Sequence, residues 1–200
     1  MIKNLIFDFG DIFINLDKPA TVRELSKYGF TGLTPELESF LQQYEKGLIS
    51  TDEFIKRGTE FFPTATATNF KDAWNSILLD FPLERLKFIE NLAKENNYRL
   101  FLLSNTNALH IENIIETFGN ANFNRFKDCF HKFYLSHEIH LRKPDADIYQ
   151  FVLDENNLIA SECLFIDDTK ENTDAAEKLG IKTWHLQVGK EDVINLKTKL

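Results

Sequence analysis

Four short apolar runs, three of them closed by polar residues, alternate with amphipathic stretches along the chain, and this restricts the fold more than any other feature. Leu5-Ile6-Phe7 ends at Asp8, Arg99 to Leu103 ends at Ser104-Asn105, and Cys163-Leu164-Phe165-Ile166 ends at Asp167-Asp168; Lys182 to Leu186 is the fourth run. Runs this short and this uniformly apolar read as strands covered on both sides. Lys132 to Leu135 reads as a further strand. Helical stretches lie between them at Leu83–Asn96, Ala108–Phe118, Ala146–Glu155 and Glu171–Leu179, the last closed by Gly180. Strands alternating with helices imply an α/β fold, a parallel sheet with helices on both faces.

Residues 17–81 interrupt the alternation. They read as helices over Thr21–Tyr28, Pro35–Lys46, Thr51–Phe61 and Phe70–Leu79, with Pro35 suited to a first turn and Gly47 to a helix end. Thr64 to Asn69, rich in Thr and Ala, is the most loop-like stretch. The expected organisation is a core from residues 1–16 and 82–200 with an all-helical insert at 17–81.

The chain carries 23 Lys and Arg against 31 Asp and Glu, a net charge of −8. Such a surface repels nucleic acid and anionic membranes, so neither is an expected partner. An anionic ligand would need a locally positive site, and a bound divalent cation supplies one. Cys129 and Cys163 have no CxxC spacing and read as free thiols. No run approaches the roughly 18 apolar residues that span a bilayer, and the N-terminus runs straight into the first strand, so a cytoplasmic protein is expected.

In open α/β sheets, ligands sit beyond the carboxyl ends of the strands. Taken singly, Asp8 reads as a turn residue, and Ser104-Asn105 and Asp167-Asp168 as helix caps. Taken together they make a different case. Two adjacent carboxylates facing a third are costly without a cation. Oxygen ligands without clustered His or Cys favour Mg²⁺ over zinc, and Mg²⁺ commonly bridges carboxylates to a substrate phosphate. Lys143, before Pro144 at a helix start, is either a solvated charge or an ammonium placed beside a phosphate. His137 and His140 lack partner ligands for a metal. The chain contains no GxSxG, GxGxxG or GxxxxGK[ST] motif, which removes the usual serine-hydrolase, dinucleotide and nucleoside triphosphate readings.

The segments Phe7-Asp8-Phe9-Gly10-Asp11, Leu103-Ser104-Asn105, Arg142-Lys143-Pro144-Asp145 and Phe165-Ile166-Asp167-Asp168, with Asn172 following, resemble the four signature motifs of the haloacid dehalogenase superfamily. The resemblance spans nearly the whole chain. It implies a Rossmann-like core, with residues 17–81 as a C1-type cap. Tyr44 to Ser50 and Lys143 to Tyr149 are similar to the branch containing the α-D-glucose-1-phosphate phosphatases.

The resemblance further implies a phosphatase in which Asp8 forms an aspartyl-phosphate. Asp8, the Gly10 carbonyl and Asp168 would hold Mg²⁺, with Asp167 contributing directly or through water. Ser104 and the Asn105 backbone would bind phosphoryl oxygens, and Lys143 would neutralise charge on the phosphate and Asp8. The expected substrate is a small phosphate monoester, with sugar phosphates the leading class. One departure matters: most phosphatases of this family carry an acid–base aspartate where this chain has Gly10. Asp11, one residue on, would point elsewhere unless the turn is unusual. Good leaving groups, such as anomeric sugar 1-phosphates or aryl phosphates, would suffer least. The missing acid motivates a second reading, a non-catalytic phosphate- or partner-binding relative. A 2-haloacid dehalogenase is a third, disfavoured because that reaction needs no metal. Arg23, Tyr44, Glu45 and Lys46 could face either the crevice or the solvent.

Overall fold

The computed structural model describes residues 1–200. At its centre is a parallel sheet of β1 (Asn4–Phe7), β2 (Arg99–Ser104), β3 (Lys132–Leu135), β4 (Cys163–Asp167) and β5 (Lys182–His185), in the order β3-β2-β1-β4-β5. Phe7 pairs with Leu102 on one side and Ile166 on the other. The chain leaves β1 toward β2 in one direction and returns to β4 in the other. The tip of β1 therefore lies where the strand order reverses, the position at which α/β sheets open a crevice.

Between β1 and β2 the chain forms α1 (Ala20–Ser26), α2 (Pro35–Glu45), α3 (Thr51–Phe61) and α4 (Ala67–Asn75). Thr34 caps α2 by accepting the Leu37 N–H at 3.2 Å, and Ser50 caps α3 by accepting that of Glu53 at 3.2 Å. The expected loop at Thr64–Asn69 and helix at Phe70–Leu79 are both displaced. Thr66 Oγ1 accepts the Asn69 N–H while Asn69 Oδ1 accepts the Thr66 N–H, each at 3.1 Å. This reciprocal cap turns an apparently loop-like composition into a helix start. At the far end, Leu79 N–H donates to the Asn15 carbonyl at 3.0 Å and Asp17 N–H to that of Ile77 at 2.9 Å, drawing the exit segment against the entry segment. These four helices have their own apolar centre around Phe40, Phe54 and Phe70, which Leu109 also enters.

The rest of the chain covers the sheet with α5 (Leu83–Glu95), α6 (Ala108–Phe118), α7 (Asn120–Lys127), a single turn α8 (Ser136–Ile139), α9 (Ala146–Glu155) and α10 (Lys170–Glu177). Leu5, Phe7, Leu102 and Ile166 pack with Leu86, Ile89 and Phe126 from α5 and α7. The alternate residues Ile6, Phe101, Leu103 and Phe165 pack with Ile148, Val152 and Ala176 from α9 and α10. Both faces are thus buried, which is why the strands read as continuous apolar runs. Each fully buried Phe or Leu favours this arrangement by about 2–3 kcal/mol over exposure. Gly180, at φ 81, lets the chain reverse after α10, with Ile181 N–H donating to the Ala176 carbonyl at 3.3 Å. Cys129 and Cys163 are free, and no helix is long and apolar enough to cross a membrane.

Candidate active site

Asp8 follows the last residue of β1, and its N–H is held by the Ile166 carbonyl at 2.9 Å. The chain then winds through one turn, with Phe13 N–H donating to the Phe9 carbonyl at 2.9 Å and Asp11 N–H to that of Ile14 at 2.7 Å. Asp11 takes φ 54, a conformation that non-glycine residues other than Asn and Asp seldom adopt. The turn is therefore unusual, and Asp11 does not point away. Its Oδ1 accepts the Leu16 N–H at 3.1 Å, and its Oδ2 lies 3.1 Å from Lys18 Nζ, which also pairs with Asp168. At Gly10 an added Cβ would approach Leu16 Cδ1 to 2.8 Å.

Asp8, Asp167 and Asp168 each offer a carboxylate oxygen, and these oxygens lie within 4.8 Å of one another. Lys143, 1% exposed, sits between two of them, with Nζ 2.7 Å from Asp8 Oδ1 and 2.7 Å from Asp167 Oδ2. Burial pushes Asp8 up to about 7 against the opposing pull of Lys143, and Asp167 and Asp168 add to the rise. Burial also raises Asp168, opposed by Lys18. For Lys143 burial acts downward, but the carboxylates of Asp167 and Asp8 outweigh it and the group stays protonated. Asp8, Asp11, Asp167 and Asp168 thus face only two ammonium groups, those of Lys143 and Lys18. An all-oxygen donor set with excess negative charge fits a hard divalent cation.

Neighbouring residues hold these groups in place. Asp167 Oδ1 accepts the Thr169 N–H at 2.8 Å, and Asn172 Nδ2 lies 3.1 and 3.0 Å from the two Asp167 oxygens. Tyr149 in turn donates its hydroxyl to the Asn172 carbonyl at 2.9 Å. Asn105 grips the Lys143 backbone twice: its Nδ2 donates to the Lys143 carbonyl at 2.8 Å, and the Lys143 N–H donates to its Oδ1 at 2.9 Å. The Asn105 side chain is therefore oriented toward Lys143 by both its nitrogen and its oxygen, and its backbone N–H is left for a ligand. Ser104, 2% exposed, stands at the tip of β2 and lines the adjoining cleft.

A family model described as haloacid dehalogenase-like hydrolase matches residues 5–186. The chain belongs to the haloacid dehalogenase-like hydrolases. It is 30% identical over 195 residues to a D-ribitol-5-phosphate phosphatase from Bacteroides thetaiotaomicron, covering 94% of each chain. A haloacid dehalogenase family enzyme from the same organism, crystallised as a variant with magnesium and inorganic phosphate, superposes with a TM-score of 0.83 at 33% identity, covering 96% of each chain. L-2-haloacid dehalogenase from Xanthobacter autotrophicus shares the fold alone, with a TM-score of 0.59 at 16% identity, covering all of this chain and 83% of that one.

In this haloacid dehalogenase-like hydrolase, a cleft of about 350 Å³ opens from Gly10, Ser104 and Asn105 toward α2 and α4. Glu45 faces it and pairs with Arg142, Nε to Oε2 at 2.8 Å. Tyr44 is buried instead, accepting the Leu109 N–H at 3.2 Å. Lys46 pairs with Asp145, and Arg23 with Asp17 away from the cleft. His140 contacts the Lys46 carbonyl at 2.8 Å, and neither it nor His137 joins the carboxylate group. Sequence reasoning missed Lys18, a single lysine in a loop with no motif to mark it. It also missed the double hydrogen bond from Asn105, for which the Ser-Asn pair was the available signal.

Proposed function

We propose that this hydrolase is a magnesium-dependent phosphomonoesterase acting on a small phosphorylated metabolite, with sugar and polyol phosphates the leading class. The observation that carries the reading is Lys143 between Asp8 and Asp167, 2.7 Å from each, at the sheet's switch point. The D-ribitol-5-phosphate phosphatase and the magnesium–phosphate complex among its relatives support it.

Asp8, Asp168 and the Gly10 carbonyl would hold Mg²⁺. The contacts of Asp167 with Lys143, Asn172 and Thr169 favour a water-mediated contribution from that residue. The ion supplies positive charge to the phosphoryl oxygens. Lys143 fixes one oxygen of Asp8 by a charge-assisted hydrogen bond and opposes charge on the phosphate. Ser104 Oγ and the Asn105 N–H receive phosphoryl oxygens. Asp8 attacks phosphorus, the ester P–O bond breaks, and the alkoxide leaves. Water then attacks the aspartyl-phosphate at phosphorus, releasing inorganic phosphate and restoring Asp8. Gly10 offers no acid to the leaving oxygen, which takes its proton from solvent.

Residues 17–81 act as a cap over a core made of residues 1–16 and 82–200. The entry and exit segments at residues 15–17 and 77–79, joined by an isolated antiparallel bridge between Leu16 and Leu78, are its pivot. The acidic surface suits a cytoplasmic enzyme with neither nucleic acid nor membrane as partner.

The absence of an acid at Gly10 favours one second reading, a relative that binds phosphate without turnover. A screen of phosphorylated metabolites with and without magnesium, comparing 1-phosphates with 5- and 6-phosphates, separates the two. Magnesium-dependent phosphate release supports the enzyme. Phosphate binding with no release from any ester, aryl phosphates included, rejects it.

A further inference from the structure

We infer that Arg142 and Glu45 form a leaving-group subsite that selects phosphate esters of neutral hydroxylated compounds and rejects those carrying a second anionic group. The inference rests on the phosphatase reading above and deepens it.

Three charged side chains line the cleft beyond the strand tips: Glu38, Glu45 and Arg142. Arg142 and Glu45 are each about three-quarters buried, with side-chain exposures of 23% and 26%. Arg142 engages Glu45 through Nε alone, at 2.8 Å, which leaves its terminal nitrogens free to donate. Glu45 likewise keeps Oε1 free to accept. The pair therefore presents donors and an acceptor side by side, the complement of hydroxyl groups on a sugar or polyol.

Both partners are set in place. Arg142 directly precedes Lys143, whose backbone Asn105 holds in both directions, so its position relative to Asp8 is fixed. Glu45 ends α2, and its carbonyl accepts the Ser136 hydroxyl at 2.7 Å. Such a subsite is built before the ligand arrives.

The charge balance excludes a second anion. Arg142 and Glu45 cancel, and Glu38 leaves the wall at −1. His110, also in the wall, adds no positive charge, because burial pushes it down to about 4 and its Nε2 donates to the Trp74 carbonyl at 3.2 Å. A carboxylate or second phosphate would face two glutamates, with the one cation already paired.

The test compares kcat/KM with magnesium for a pentitol phosphate, a phosphorylated hydroxy acid, a sugar bisphosphate and an aryl phosphate. The wild-type protein is expected to favour the pentitol ester over both substrates with an anionic tail by about tenfold or more. Glu45→Gln, nearly isosteric, is expected to narrow that preference several-fold, chiefly through KM for the anionic esters. Arg142→Gln is expected to lower kcat/KM for the pentitol ester by about tenfold while affecting the aryl ester much less. Equal or better wild-type turnover of the anionic esters overturns the inference, as does a preference that neither folded variant shifts. Failure to hydrolyse even the aryl ester instead rejects the phosphatase reading, and the subsite with it.

Discussion

The ammonium of Lys143 stands 2.7 Å from Oδ1 of Asp8 in a pocket that leaves the lysine side chain 1% exposed. No other side-chain cation touches Asp8, so this contact is what opposes burial and the neighbouring carboxylates in setting the nucleophile's charge. Lys143→Met leaves Asp8 and Asp167 buried without their shared partner. Removing one member of a buried ion pair costs about 3–5 kcal/mol. Turnover should fall to background and the metal-free melting temperature should drop sharply, with magnesium recovering part of the loss. Thermal denaturation with and without magnesium, alongside an aryl phosphate assay, checks both effects.

Gly10 marks where a general acid is lacking. Its added Cβ would meet only the flexible end of Leu16, at 2.8 Å, and no backbone atom within 4 Å. Gly10→Asp, paired with Leu16→Ala to open space, should therefore be tolerated. A positioned acid contributes about 10²–10⁴-fold when the leaving group is poor. The double variant is expected to raise hydrolysis of alkyl phosphates relative to aryl phosphates by at least about tenfold. An unchanged ratio would mean that proton delivery does not limit turnover.

Lys18 neutralises part of the acidic cluster through Asp11 and Asp168. Lys18→Met removes a positive charge beside the proposed metal ligands. Magnesium should then stabilise the protein at lower concentration, by about threefold or more, while the metal-free form melts earlier. Melting curves across a magnesium titration read both effects without reference to activity.

His110 weakens the fold on the acid side, while the raised Asp8 acts in the opposite direction over the same range. Burial lowers it from 6.5 to about 4, so the folded chain keeps it neutral over a range where the unfolded chain protonates it. At this group protons favour the unfolded state, so its contribution to stability declines as pH falls from 6.5 toward 4, with no change above that window. The side chain is partly open to the cleft, which holds the loss to about 2 kcal/mol at the acid end. His110→Phe retains a ring to stack on Trp74 and should flatten this decline. Unfolding free energies between pH 4 and pH 7 test it, and an equally steep decline in the variant would assign the acid sensitivity to other groups.

Much of the fold was legible because covering the sheet on both faces imposes uniform apolar strands, and Asp8, Ser104 and Asp167 interrupt them at the tips. The paired carboxylates close one such run directly, whereas Lys143 stands before Pro144 at no strand tip, and only the resemblance of its segment to a family motif marked it. The start of α4 was not, because Thr66 and Asn69 suit a loop until their reciprocal hydrogen bonds form a cap. The orientation of Asp11 was hidden too, since its positive φ is stabilised by Leu16 and by Lys18, contacts that exist only after the turn has formed. Lys18 reaches a carboxylate 150 positions away, a distance over which spacing carries no information.

The most direct measurement is magnesium-dependent hydrolysis of an aryl phosphate by purified Asp8→Asn, compared with wild type at matched melting temperature. Turnover at the level of the uncatalysed reaction, with the fold retained, is the predicted result. Turnover comparable to wild type would contradict Asp8 as the group that attacks phosphorus.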